Sequence, residues 1–170
     1  FYYVKFLLVS MKYSILIILT SFLTASDIKI SCEEHLGNLY PENTEIKMHI
    51  LKLDKQIKKE VENQVKQKFY KDKLYYWAIT KKDSTTVYAF LDNVIGKSMP
   101  ITFLVILHSN GFIIDTKVIK YREAYGGEIG NRVWLKQFFN RDNNSSYNIG
   151  KDINGISGAT ISVKSMSKGI

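Results

Sequence analysis

The stretch "ITFLVILHSNGFIIDTKVIKY", residues 101–121, sets the fold class of this chain. Two runs rich in β-branched and aromatic residues flank the pair Asn110-Gly111. Both residues of that pair tolerate the positive φ angles of a tight hairpin turn. The stretch therefore predicts two antiparallel strands joined by a short turn.

Two more strand-like runs precede the hairpin, at residues 73–80 and 85–95. Each ends in a turn signal, "KKDS" after the first and "GKSMP" after the second. Consecutive strands joined by short turns favour an antiparallel meander. We expect an α+β fold, an antiparallel sheet of about four strands covered by helices.

A helix is predicted upstream of these strands, over about residues 54–69. Asp54 is a suitable N-cap, and apolar residues follow at intervals of four: Ile57, Val61, Val65 and Phe69. This spacing gives the helix one apolar stripe. We expect that stripe to cover one face of the sheet.

Composition narrows the class of protein. Of the 170 residues 45% are hydrophobic, which excludes a disordered chain. The net charge is +8, but the lysines are spread out and no nucleic-acid-binding module is recognisable, so no nucleic-acid partner is expected. A basic surface favours an anionic cofactor, an acidic partner or a membrane face. The single cysteine, Cys32, excludes a disulfide framework, and the three histidines lack metal-ligand spacing.

The N-terminus predicts export. "MKYSILIILTSFLTAS", residues 11–26, has a lysine, an apolar centre and small residues at its end, the layout of a secretory signal peptide. Residues 1–10 are expected to precede the true start at Met11. The alternative is one uncleaved membrane anchor within residues 1–26. Either interpretation places the remainder outside the cytoplasm, in the periplasm or on the outer face of the membrane. Residues 27–50 are then expected to form a leader.

The run "DINGISGATIS", residues 152–162, consists largely of small and polar residues and has a flexible backbone. Gly155 and Gly158 permit backbone shapes that other residues do not hold. Ser157 or Thr160 is suited to cap a helix that begins at Ile161, and the free amides of such a helix start form a site for phosphate. An ordinary N-cap is the alternative on the residue types alone.

This run resembles the attachment motif of the FMN-binding domain family, in which an acidic residue is followed shortly by Ser-Gly-Ala-Thr and another hydroxyl. Residues 94–123 and the later "GGEI" and "WLKQF" also resemble stand-alone exported members, so the likeness covers about residues 50–170. It implies an FMN-binding domain at 51–170 that carries covalent FMN, installed from FAD by a flavin transferase as a phosphoester on Thr160. The other implied motif residues are Ser157, Gly158, Ala159, the upstream acid Asp152 and the trailing hydroxyl Ser162.

The resemblance also suggests which residues surround the flavin. Arg122 and Glu123 are candidates to approach the phosphate or the ring, and Tyr121 and Trp134 are candidates to stack on it. A charged strand end and a core tryptophan are the competing interpretations. The family usually continues the helix after the motif beyond the position of Ile170, so we expect the domain to be truncated here.

Three functional hypotheses follow. The first is an exported electron carrier that exchanges electrons with a membrane or extracytoplasmic redox partner. The second is an exported binding module without flavin. The third, a hydrolase with Ser157 or Thr160 as nucleophile, is disfavoured because no "GxSxG" elbow and no nearby histidine accompany them.

Overall fold

The computed structural model describes residues 27–41, 44–69 and 71–170. The signal peptide or anchor predicted over residues 1–26 lies outside the described residues. The chain divides into two compact units, Phe1–Pro41 and Glu42–Ile170. In the first unit, residues 27–39, expected to belong to a leader, are helical (α1). Within the described part of the chain, no helix has both the length and the apolar character needed to cross a bilayer.

The second unit is built on a five-stranded antiparallel sheet whose strands follow in sequence order. The strands are β1 Glu45–Lys52, β2 Lys73–Thr80, β3 Thr86–Ile95, β4 Pro100–His108 and β5 Ile113–Lys120. The predicted α+β meander is thereby confirmed, and β1 adds a fifth strand at its edge. Because β1 pairs with β2 from Glu45↔Thr80 to Lys52↔Lys73, the sheet begins within the segment assigned to a leader.

The helix predicted from Asp54 onward is present as α2, Lys55–Val65. The Asp54 carboxylate caps it, accepting hydrogen bonds from the N–H groups of Gln56 and Ile57 at 2.8 and 3.2 Å. None of its residues is buried, however, and Ile57 remains 57% exposed. The apolar stripe therefore does not provide the cover that its spacing predicts.

The cover comes instead from the C-terminal helix α4, Thr160–Gly169, and from the short helical turns between Gly127 and Phe138, which include α3, Arg132–Leu135. Val163 and Met166 of α4 are fully buried in one cluster with the sheet residues Val94, Ile101, Phe103 and Val105. Burying each such side chain contributes about 1.5–3 kcal/mol. A Cβ at Gly169 would lie 2.5 Å from Val94 Cγ1, so the end of α4 is pressed directly onto the sheet. This packing fixes where the other end of α4, and hence the motif, is held.

Candidate functional site

The helix after the motif begins without a side-chain cap. α4 starts at Thr160, one residue before the predicted Ile161, and Ala159 occupies the N-cap position. The prediction that Ser157 or Thr160 caps this helix is therefore wrong. Among the described residues, none accepts a hydrogen bond from the N–H groups of Thr160, Ile161 or Ser162. The first turn also contains no acidic residue, so the partial positive charge of the helix start is uncompensated.

The motif is a turn that presents the Thr160 hydroxyl to solvent. The Ala159 N–H donates to the Ile156 carbonyl at 3.1 Å, and Gly158 has a φ of +75°. Ser157, Gly158 and Thr160 are exposed, whereas Ala159 is buried. No atom lies within 4 Å of the place where a Cβ at Gly158 would stand. The surface at Gly158, two residues before Thr160, is thus open to a bulky group.

A second loop packs against the motif at Gly126. With a φ of +81°, Gly126 approaches Ala159 so closely that a Cβ on it would lie 2.3 Å from the Ala159 Cβ. The Tyr121 hydroxyl donates to the Tyr125 carbonyl at 2.5 Å and fixes this loop. Tyr121 therefore has a structural partner, while the side chain of Tyr125 is 81% exposed. Sequence reasoning missed Tyr125, because only the fold shows that it stands beside the motif.

Glu123 and Ser162 lie on the other side of the helix start, around Gly96. Glu123 accepts hydrogen bonds from the N–H groups of Met99 and Ser98, at 2.9 and 2.7 Å, and these donors lower the pKa of its carboxyl. A Cβ at Gly96 would lie 2.6 Å from Glu123 Oε1 and 2.9 Å from Ser162 Oγ. Glu123 thus fixes the turn after β3 against α4. Ser162, 3% exposed, faces that turn rather than solvent.

Two other candidate residues support loops farther along the chain. Asp152 accepts hydrogen bonds from the Ser146 hydroxyl at 2.5 Å and the Asn148 N–H at 3.0 Å, and the Ser146 bond is the main cause of its lowered pKa. Trp134 is buried, and its Nε1–H donates to the Asn154 carbonyl at 2.8 Å. The interpretation of Trp134 as a core residue is confirmed. Its hydrogen bond holds the chain that leads into the motif.

Arg122 is directed to the sheet. Its Nη1 donates to the Pro100 carbonyl at 2.8 Å and to the Thr102 hydroxyl at 3.0 Å. These bonds tie the end of β5 to β4. The structure therefore brings Glu123, Gly126 and Ser162 together around the motif, whereas Arg122 and Asp152 are engaged with other segments.

These features fit a phosphate-bearing cofactor. Unpaired N–H donors, an exposed hydroxyl and open space beside it are the elements of an anion site at a helix start. Exposed apolar side chains on the adjoining segments, Tyr125, Ile161 and Met99, are suited to an aromatic ring. In the described part of the chain, no group of three or more His, Cys, Asp or Glu residues is placed to hold a metal ion.

Residues 96–170 match the family described as FMN-binding domain. The matched segment contains β4, β5, α4 and every candidate site residue. A comparison with curated proteins gives no match.

Proposed function

We propose that the chain is an exported electron-transfer flavoprotein that carries FMN covalently on Thr160, and the match of residues 96–170 to the FMN-binding domain family supports this proposal. One observation supports the attachment site above all others. Thr160, the first residue of α4, is exposed. The backbone N–H groups beside it have no side-chain cap. An ordinary helix-capping motif would have used its hydroxyls for those amides.

The attachment is a phosphoryl transfer from FAD, catalysed by a separate flavin transferase. Thr160 Oγ forms a new P–O bond to the FMN phosphorus, the P–O bond of the pyrophosphate breaks, and AMP leaves. The hydroxyl proton passes to a base on the transferase. The chain would contribute position and charge, because the unpaired N–H groups of the first turn of α4 would hold the transferred phosphate. The exposure of Thr160 gives the transferase access.

Bound FMN supplies one- and two-electron redox chemistry, and the protein holds and orients it. A covalent bond removes dissociation as a route of cofactor loss, which matters outside the cytoplasm, where free FMN is scarce. The unpaired N–H groups and the exposed hydroxyl at the start of α4 suit the binding of a phosphate-bearing cofactor. We therefore propose an electron carrier that meets a membrane or extracytoplasmic redox partner. The net charge of +8 favours a partner with an acidic surface.

The proposal is tested by intact-mass measurement after coexpression with a flavin transferase. The wild-type chain should gain the mass of one FMN group and retain flavin fluorescence after denaturation. Thr160→Ala should abolish both signals. Thr85→Ala is the matched control, because it removes an exposed threonine hydroxyl in the turn between β2 and β3, outside the matched segment, and should leave the mass gain intact.

Two outcomes would contradict the proposal. A full covalent flavin signal in Thr160→Ala would place the bond elsewhere. A wild-type chain whose mass does not change in the presence of an active transferase would favour the flavin-free binding module.

A further inference from the structure

The helix that begins at Thr160 carries a lysine four residues later, at Lys164. Residues four apart on a helix lie on the same face, about 5–6 Å apart at Cβ. Thr160 and Lys164 are both exposed. Helical side chains lean toward the N-terminus, so the long side chain of Lys164 extends back over the turn that holds the Thr160 hydroxyl. Its ammonium group can therefore reach a group attached to Thr160 Oγ.

Lys164 has no partner in the described part of the chain. It forms no hydrogen bond and no ion pair with another described residue, and the first turn of α4 offers no carboxylate. Glu123, which packs beside this turn, already accepts three hydrogen bonds from Ser98 and Met99. The start of α4 thus combines free N–H donors with an exposed cation, and the nearby carboxylate of Glu123 is engaged by Ser98 and Met99.

We infer that Lys164 is a positioning residue that pairs with the flavin phosphate on Thr160. This inference rests on the proposed function, since it assigns a partner to the phosphate at that site. The phosphodiester supplies the anion that the helix start lacks. A charge-assisted hydrogen bond from the Lys164 ammonium group restricts the rotation of the phosphodiester about Thr160 Oγ. During transfer, the same cation attracts the anionic flavin nucleotide and stabilises charge on the moving phosphoryl group.

Lys168 provides an internal contrast. It lies four residues after Lys164 on the same exposed face, but its Nζ donates to the Lys66 carbonyl at 3.2 Å. It is also two turns from Thr160, beyond the reach of a direct hydrogen bond. Removing the charge of Lys168 therefore changes the charge of the same helix without changing the phosphate environment.

The experiment compares wild type, Lys164→Met, Lys164→Arg and Lys168→Met, each coexpressed or incubated with flavin transferase and FAD. The initial rate of FMN addition is followed by intact mass, and the purified flavoproteins are compared by ³¹P NMR. Lys164→Met should slow FMN addition about twofold at low salt, with the difference shrinking as salt screens the charge. Its phosphodiester ³¹P signal should shift, whereas Lys164→Arg and Lys168→Met should stay close to wild type.

The outcomes separate the two proposals. If Lys164→Met gains FMN at the wild-type rate and keeps the wild-type ³¹P shift, the pairing is refuted while the attachment site stands. If Lys168→Met has the same effect as Lys164→Met, a general loss of positive charge explains the result and the pairing is again refuted. If none of the variants nor the wild type gains FMN, the proposed function itself fails.

Discussion

Replacing Gly126 with alanine tests the contact on which the geometry of the site depends. Gly126 has a φ of +81°, in the left-handed region, and its missing Cβ would lie 2.3 Å from the Ala159 Cβ. Ala159 is the N-cap residue of α4 and is followed directly by Thr160. An added methyl group at Gly126 must therefore displace the residue that positions the proposed attachment site.

The magnitude follows from two contributions. Holding an L-residue in the left-handed region costs about 1–2 kcal/mol, of which about 0.4–1 kcal/mol is offset because alanine restricts the unfolded chain. Forcing a methyl group into an occupied contact costs about 1–3 kcal/mol more. We expect Gly126→Ala to lower the free energy of unfolding by about 2–4 kcal/mol.

Two other glycines separate these contributions. Gly150 has a φ of +88° but no atom within 4 Å of its Cβ position, so Gly150→Ala should show the conformational cost alone, about 1 kcal/mol. Gly127 has neither a positive φ nor a close neighbour, so Gly127→Ala should be neutral or slightly stabilising. Urea denaturation followed by tryptophan fluorescence measures all three free energies, and intact mass after coexpression with transferase measures FMN addition.

We expect Gly127→Ala to be the most stable of the three variants, Gly150→Ala to be intermediate and Gly126→Ala to be the least stable. Only Gly126→Ala should also reduce FMN addition. Equal destabilisation of Gly126→Ala and Gly150→Ala would show that the loop does not press on Ala159. Undiminished FMN addition in a clearly destabilised Gly126→Ala would show that the transferase does not depend on this contact.

Three further predictions concern the surroundings of the motif. Glu123 has a lowered pKa in the folded state, so it contributes stability above its unfolded-state pKa that is lost as the pH falls through the folded value. Glu123→Gln should therefore flatten the loss of unfolding free energy between neutral and acidic pH, and an unchanged pH profile would contradict the role of its hydrogen bonds. Trp134→Phe removes the donor to the Asn154 carbonyl and some buried volume, and should lower the free energy of unfolding by about 2 kcal/mol in urea denaturation. Attachment of FMN at Thr160 should raise the free energy of unfolding by about 1 kcal/mol relative to the unmodified chain, because the phosphate supplies the anion that the helix start lacks. The control is Thr160→Ala expressed with transferase, whose free energy of unfolding should not rise.

Much of the sheet could be predicted because each strand carries its own local signal. The runs at residues 73–80 and 85–95 and the hairpin around Asn110-Gly111 match β2 to β5 within one or two residues. The strand β1 also carried a signal, since Ile46, Met48 and Ile50 alternate with polar residues over Glu45–Lys52. The leader expected over residues 27–50 includes this segment, so the prediction misses the strand.

The helices were harder to place, because periodicity shows that a helix has an apolar side without showing what that side contacts. The regular stripe of α2 predicts burial, yet Ile57 and Val61 remain 57% and 39% exposed. α4 has a less regular pattern but covers the sheet, since Val163 and Met166 lie against Phe103 and Gly169 lets the backbone approach. Which helix packs on the sheet is decided by close approach in three dimensions, which local spacing does not encode.

The site shows the same division between local and tertiary information. The motif and its small residues could be identified from the sequence, but local propensity assigned its hydroxyls to helix capping. The fold decides otherwise, because Gly126 fixes Ala159 at the N-cap position and leaves the Thr160 hydroxyl outside. Alanine is a poor N-cap, and its use in place of serine lowers helix stability by about 1 kcal/mol. A sequence that places two hydroxyl residues beside this position and uses neither as the cap keeps its amides free for an external anion. Amides left unpaired in this way are suited to the phosphate of the proposed cofactor.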